Sequence, residues 1–193
     1  MPSAFSHAIV AVGLGTALSQ SKASLKLWLL GAACAVLPDV DVFGFWFGIP
    51  YQDLLRHRGL THSLAFAAAL SILVVALAFH QERWAGCRNR LLLCFFCVIA
   101  SHGALDVMTN GGLGVAFFAL FDNTRYFFPF RPIEVSPLSV ETFFTASGAA
   151  ILSNEFLWIW LPSLFLAVLF SVGRRWQAAG SLKAEAQSSA KDL

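Results

Sequence analysis

The chain has 193 residues, of which 58% are hydrophobic, 14% aromatic and only 12% charged, and its formal net charge is +2. Soluble domains carry about 25% charged residues, so this composition excludes an ordinary soluble protein. So small a net charge also argues against a nucleic-acid partner. The sequence therefore predicts a single-domain integral membrane protein whose immediate partners are membrane lipids.

Apolar segments predict an all-α integral membrane protein, a bundle of about five transmembrane helices. The segments are residues 4–21, 25–37, 60–79, 91–108 and 156–172. Nine of the 13 Lys and Arg residues then fall on one side of the membrane. Because the cytoplasmic side carries the excess of Lys and Arg, the N-terminus is expected outside and the C-terminus in the cytoplasm.

Two regions lie outside the predicted spans. Residues 173–193 are rich in Ala, Ser, Gln and Lys, which predicts a disordered cytoplasmic tail and leaves 1–172 as the membrane domain. Residues 110–154 form the longest non-spanning region, an extracytoplasmic loop rich in Phe and Pro. Aromatic residues favour the bilayer interface, so this loop is either an interfacial cover over the bundle or a lipid-facing substrate cleft.

Ionisable residues beside apolar spans are candidates for function, because they are costly there unless they are paired or ligated. His102 and Asp106 are four residues apart, which puts both on one helix face. They could share a metal ion, or they could form a hydrogen bond that links helices.

A second candidate group follows Pro38. Proline disfavours helix for the residue before it, so the following stretch is expected to be extended or turning. An extended segment would point Asp39 and Asp41 the same way. Two convergent carboxylates suit a cation, whereas two carboxylates in a solvated loop need none.

The third group, Arg56 to Ser63, opens the third predicted span and contains His57 and His62, with Thr61 as an N-cap candidate. This segment suits a metal site, a phosphate-binding edge or a basic loop at the membrane surface.

The predicted topology places these groups and His7 at one membrane face and His80 at the other. The four histidines and three aspartates at that one face are sufficient to bind two divalent ions, with coordination positions left open for water. Cys94 and Cys97 have the spacing of a zinc or redox pair, but they lie in an apolar helix and are expected to be packing residues.

The order and spacing of these motifs over about residues 1–132 resemble the YdjM-type family of bacterial and archaeal inner-membrane proteins, described as membrane-bound metal-dependent hydrolases. The matching motifs are Ser6-His7, Leu37-Pro38-Asp39-Val40-Asp41, His57-Arg58-Gly59-Leu60-Thr61-His62-Ser63, and Ser101-His102 with Asp106 and Thr109. The resemblance implies a multi-span protein of the inner membrane with a histidine and aspartate metal centre. The His-x-x-x-Asp element is also similar to one in zinc-dependent phospholipase C, which points to phosphoesters.

The leading hypothesis is a hydrolase of an ester or phosphoester in a lipid or lipid-linked substrate, using one or two zinc or manganese ions. The expected metal ligands are His7, Asp39, Asp41, His62, His102 and Asp106. His57 and His62 are expected to be catalytic, with His57 as a ligand, a proton shuttle or an oxyanion partner. The expected phosphate-holding residues are Arg56, Arg58, Arg125 and Arg131, because guanidinium matches phosphate.

Two alternatives come from other classes of protein. In a metal transporter or sensor, the same residues would carry or report an ion. In a structural membrane protein, they would form interhelical hydrogen bonds without metal.

Overall fold

The computed structural model describes residues 1–18, 24–45, 47, 48, 50, 53–55, 57–137 and 140–189, and these residues are mainly helical. The α-helices are α1 (Ala4–Leu18), α2 (Leu25–Val36), α3 (Leu64–Ala78), α4 (Arg88–Asp106), α5 (Val140–Phe143), α6 (Ala146–Glu155) and α7 (Leu161–Ser189). Shorter 3-10 segments cover Leu37–Phe45, Leu60–His62 and Glu82–Cys87. Strand-like pairing among the described residues consists of isolated bridges, Thr109 with Ile133 and Val115 with Tyr126.

Helix α4 lies at the centre of the bundle, where it packs against α1, α2 and α3, while α7 packs against α1. Small side chains allow this close approach: Ala11 and Ala35 pack with Cys94 and Val98 in one buried cluster. Cys94 is therefore part of the core between α1, α2 and α4.

The apolar helices differ in length. In the part of the chain that the structure describes, three are long and apolar enough to cross a membrane, namely Leu25–Gly44, Glu82–Asp106 and Ala146–Gln177, and two are shorter, Ala4–Leu18 and Leu64–Ala78. Each predicted segment thus lies largely within an apolar helix. The last helix differs most from its predicted bounds, since it begins at residue 146 rather than 156.

A π-helical turn, Phe156–Trp160, joins α6 to α7. Pro162 follows this turn, and it disfavours the regular α-helical hydrogen-bond pattern because it has no N–H and its ring would clash with the carbonyl one α-turn earlier. Helix α7 then continues to Ser189, so the residues predicted as a disordered tail are helical as far as they are described. The reason is composition, since Ala, Leu, Lys, Glu and Gln are strong helix formers; residues 190–193 lie outside the described part.

The segment after α4 folds back over the ends of α3 and α4. Phe128 N–H donates to the Val107 carbonyl at 3.0 Å, and Leu64 N–H donates to the Phe117 carbonyl at 3.0 Å. Gly114 allows the turn, because its φ is +79° and a Cβ there would lie 2.6 Å from the Tyr126 carbonyl oxygen. Aromatic side chains remain on the outside, including Phe121, which is 88% exposed.

At the opposite end of the bundle, cationic side chains bind the terminal carbonyls of α1 and α3. Arg174 donates to the Thr16 carbonyl at 2.6 Å. Lys26 donates to the Ala78 carbonyl, and Arg88 donates to the His80 carbonyl. Cations stabilise helix C-termini in this way, and His80 lies exposed at this end.

Candidate metal centre

Histidines and aspartates from four parts of the chain meet under the folded-back loop. His7 comes from the first turn of α1, and His102 and Asp106 come from the last turns of α4. The 3-10 segment after α2 supplies Asp39 and Asp41, and the segment before α3 supplies His57 and His62. The site is buried: the His7, His62, His102 and Asp106 side chains are almost inaccessible, and the Asp39 side chain is only 9% exposed.

The tightest group contains Asp39, His62, His102 and Asp106, which we call the Nε2 cluster; one ligand atom from each lies within 4.8 Å of the others. The Nε2 atoms of His62 and His102 are 3.0 Å apart. Asp39 Oδ1 lies 3.2 Å from His102 Nε2, and Asp106 Oδ2 lies 3.4 Å from His62 Nε2. The cluster thus combines two imidazole and two carboxylate ligands, a mixture that suits zinc or manganese.

Partners outside the cluster determine the tautomers of the two histidines. His102 Nδ1 lies 2.7 Å from the Ala35 carbonyl oxygen, which can only accept, so Nδ1 carries the proton. His62 Nδ1 lies 3.0 Å from the Thr61 hydroxyl oxygen, whose own proton goes to Asp41 Oδ2, so this Nδ1 also donates. In the neutral rings, both Nε2 lone pairs therefore point into the cluster, as in histidines whose second nitrogen is held by a carboxylate or carbonyl.

Several buried polar atoms at this site have no hydrogen-bond partner. They are both carboxylate oxygens of Asp39 and of Asp106, both ring nitrogens of His7, and Arg58 Nε. Ionisable groups lie near these atoms at ion-pair distance, but they do not form hydrogen bonds with them. For example, His7 Nε2 lies 3.8 Å from Asp106 Oδ1. Buried unsatisfied groups are costly, so the residues present fit a bound cation well.

Asp41 and His57 form a pair beside the Nε2 cluster. Asp41 Oδ1 lies 2.8 Å from His57 Nδ1, and Asp41 Oδ2 accepts from the Thr61 hydroxyl at 2.6 Å. Burial lowers the pKa of His57, and the hydrogen bond with Asp41 opposes that change. Asp41 thus holds two histidines at once, since Oδ2 also faces His62.

Of the two expected conformations around Asp39 and Asp41, extended or turning, the extended one is wrong, because Leu37–Phe45 is a 3-10 helix. With three residues per turn, side chains two apart diverge by about 120°. Asp39 accordingly lies in the Nε2 cluster and Asp41 beside His57. The predicted N-cap at Thr61 is also wrong, since Ser63 caps α3 by accepting from Phe66 N–H at 3.1 Å.

Arg58 is held inside the protein rather than presented to a ligand. It is 1% exposed, and its Nε lies 3.1 Å from Asp106 Oδ2. Its two terminal nitrogens donate to Thr109 Oγ1 and the Gly111 carbonyl, both at 2.9 Å. Its φ is +65°, a left-handed conformation that is rare for a residue with a side chain. The Arg58 guanidinium thus neutralises Asp106, and its expected phosphate-holding role stays a prediction.

The other arginines predicted to hold phosphate differ in their surroundings. Arg125 is partly buried and donates to the carbonyls of His57 at 3.2 Å and Asp53 at 3.4 Å, so it braces the loop beside the site. Arg131 is exposed and lies over the Phe127 ring at 4.7 Å. Arg56 lies outside the described residues.

Glu155 is a buried charged residue that the sequence reasoning missed. It is 0% exposed and accepts hydrogen bonds from Ser3 and Ser6, next to His7. The available signal was a carboxylate at the edge of an apolar segment, the same criterion that singled out Asp106.

The fold and site define a helical membrane protein with a buried histidine and aspartate cluster at one end of its bundle. The chain belongs to the family described as YdjM inner membrane protein, whose pattern matches residues 1–179. It is 35% identical over 169 residues to the inner membrane protein YbcI of Escherichia coli (strain K12), covering 86% of this chain and 95% of that protein. No solved structure matches the chain. The chain is thus an inner-membrane protein, and the names of its relatives state no reaction.

Proposed function

We propose that this protein is a metal-dependent hydrolase embedded in the inner membrane by five helices, with its N-terminus outside and its C-terminus in the cytoplasm. Its substrate is an ester or phosphoester of a lipid or lipid-linked molecule. The observation that carries the proposal is the Nε2 cluster, in which the buried carboxylate oxygens of Asp39 and Asp106 lie beside two imidazole nitrogens and have no hydrogen-bond partners.

In this proposal, Asp39, His62, His102 and Asp106 hold one zinc or manganese ion, with His7 as a further ligand from α1. When bound, such an ion lowers the pKa of a water ligand and polarises an acyl or phosphoryl oxygen. Asp41 orients His62, because its Oδ2 faces His62 Nδ1 at 3.2 Å. Asp41, His57 and His62 also form a group within ligand distance, which offers a place for a second ion.

His57 is the proposed proton-transfer residue. Its Nδ1 lies 2.8 Å from Asp41 Oδ1, the arrangement that fixes the orientation of a general base. Burial keeps the pKa of His57 low, so the ring is neutral and able to accept a proton near pH 7. Arg131 is the exposed cation proposed to meet a phosphate group, and the exposed aromatic side chains of the loop admit acyl chains from the interface.

The direct test is hydrolysis of phosphatidylglycerol and of farnesyl diphosphate in mixed micelles by purified protein. We expect product release that EDTA abolishes and zinc or manganese restores. His57→Ala should retain the metal and lose turnover, whereas His80→Ala, at the exposed opposite end, should retain both. Turnover that survives EDTA, or full activity of His57→Ala, would contradict the proposal.

A structural role without catalysis is the second candidate, and one observation favours it. Arg58 neutralises Asp106 and Asp41 hydrogen-bonds His57, so part of the site is paired without any ion. Interhelical hydrogen bonds in membranes contribute about 1 kcal/mol each, enough to join helices but not to require metal. This candidate predicts no stoichiometric metal. A transporter or sensor has less support, because the predicted ligands form one buried cluster.

A further inference from the structure

Glu155 and three partners form a buried polar group outside the Nε2 cluster. The Glu155 carboxylate accepts from the Ser3 N–H at 2.5 Å, from the Ser3 hydroxyl at 2.5 Å and from the Ser6 hydroxyl at 2.7 Å. Trp160 Nε1–H donates to the Ser6 hydroxyl at 2.7 Å. We call these four residues the Glu155 network; they join the start of α1 to the last helix.

The π-helical turn makes this network possible. Glu155 and Trp160 are five residues apart, and in an α-helix they would lie about 140° apart around the axis. The turn Phe156–Trp160 has hydrogen bonds from residue i+5 to residue i, which brings residues five apart closer together around the helix axis. Both side chains therefore reach Ser6 from the same side of the last helix.

The network fixes the helical turn that carries His7. The Ser3 carbonyl accepts from the N–H groups of Ser6 at 3.0 Å and His7 at 3.3 Å, so the backbone held by Glu155 is that of the first turn of α1. A carboxylate at a helix N-terminus also satisfies N–H groups that lack intrahelical acceptors and complements the helix dipole.

His7 depends on this support because its own ring makes no hydrogen bond. Both ring nitrogens are buried and unpartnered, and the ring stacks on His102 with centroids 3.7 Å apart. We propose that Glu155 is a positioning residue that holds the start of α1 so that His7 joins the Nε2 cluster as a metal ligand. The inference rests on the proposed metal site and is independent of the reaction catalysed there.

A double-mutant cycle on zinc affinity tests this coupling. The dissociation constant is measured for the wild type, His7→Ala, Glu155→Ala and the double variant, by competition with a chelator. If Glu155 acts through His7, each single variant should weaken binding by about tenfold or more, and the double variant should be no weaker than His7→Ala. Glu141→Ala removes an exposed carboxylate from α5 and should leave the affinity unchanged.

A second measurement needs no metal. In a His7→Cys variant, peptide mass spectrometry separates alkylation at position 7 from alkylation at the four native cysteines. Position 7 should react slowly while the Glu155 network is intact and at least several-fold faster in His7→Cys/Glu155→Ala. If Glu155→Ala does not fold, the Ser3→Ala variant takes its place in both measurements, because it removes one hydrogen-bond donor to the Glu155 carboxylate.

The outcomes separate this inference from the proposed function. Absence of zinc binding in the wild type would overturn the metal site, while faster labelling of position 7 would still establish Glu155 as the residue that positions α1. If the wild type binds zinc and the fold-loss of affinity in the double variant equals the product of the two single-variant losses, the inference would be overturned while the metal site would stand. Unchanged labelling of position 7 would also overturn it.

Discussion

The Nε2 atoms of His62 and His102 lie 3.0 Å apart, although the residues are separated by 40 positions in the chain. Both rings have their Nδ1 atoms turned to acceptors, the Ala35 carbonyl for His102 and the Thr61 hydroxyl oxygen for His62. Two imidazole lone pairs at this distance repel each other unless a proton or a metal cation lies between them. The nearby carboxylates of Asp39 and Asp106 increase the negative potential, so the geometry favours a divalent ion.

The two aspartates of the 3-10 segment should differ in their effect on metal binding. Asp39 is a ligand in the proposal, so Asp39→Asn should abolish measurable zinc binding. Asp41 lies outside the Nε2 cluster and orients His62 and His57, so Asp41→Asn should weaken binding at that cluster by about 10-fold to 100-fold without abolishing it. Zinc titration against a competing chelator measures both. Equal losses in the two variants would instead make Asp41 a direct ligand.

Arg58 should contribute strongly to stability. Arg58→Gln leaves the buried Asp106 carboxylate without its cation, and breaking a buried ion pair costs about 3–5 kcal/mol. Thermal unfolding in detergent, followed by circular dichroism, should show a clearly lowered midpoint. Arg131→Gln changes an exposed arginine and serves as the matched control. If the two variants unfolded at the same temperature, the Arg58 guanidinium would have no stabilising role.

Gly114 should tolerate no side chain. Its φ of +79° is strained for other residues, and a Cβ would meet the Tyr126 carbonyl oxygen at 2.6 Å. Gly114→Ala is expected to lower the free energy of unfolding by about 1–3 kcal/mol and to loosen the loop that covers the site. Gly86→Ala, where a Cβ meets nothing within 4 Å, is the control. Hydrogen exchange of residues 115–126 should increase only in Gly114→Ala.

Much of the site is predictable because its residues are ionisable and lie within or beside apolar segments. His102 and Asp106 are polar residues at helical spacing in an apolar run, and membrane burial makes such residues informative. The alternation of predicted spans also places His7, Asp39 and His62 at the same end as this pair. The structure brings all of these side chains together, although their roles remain predictions.

The details that were missed depend on backbone geometry and long-range packing. The side chains of Asp39 and Asp41 diverge because the segment is a 3-10 helix. The presence of Pro38, which disfavours helix for the residue before it, did not indicate this conformation. The inward orientation of Arg58 follows from its left-handed backbone and from contacts with residues about 50 positions away. Glu155 is connected to Ser3 across 152 positions, a contact for which the sequence carries no local signal.

The central claim is that the Nε2 cluster binds a divalent ion, and the metal content of the purified protein tests it most directly. Elemental mass spectrometry should find at least one equivalent of zinc or manganese per chain in the wild type and in His80→Ala. An Asp39→Ala/His102→Ala variant that still folds should contain none. If the wild type held no stoichiometric metal after incubation with zinc and manganese, or if the double variant held as much as the wild type, the metal centre would be refuted.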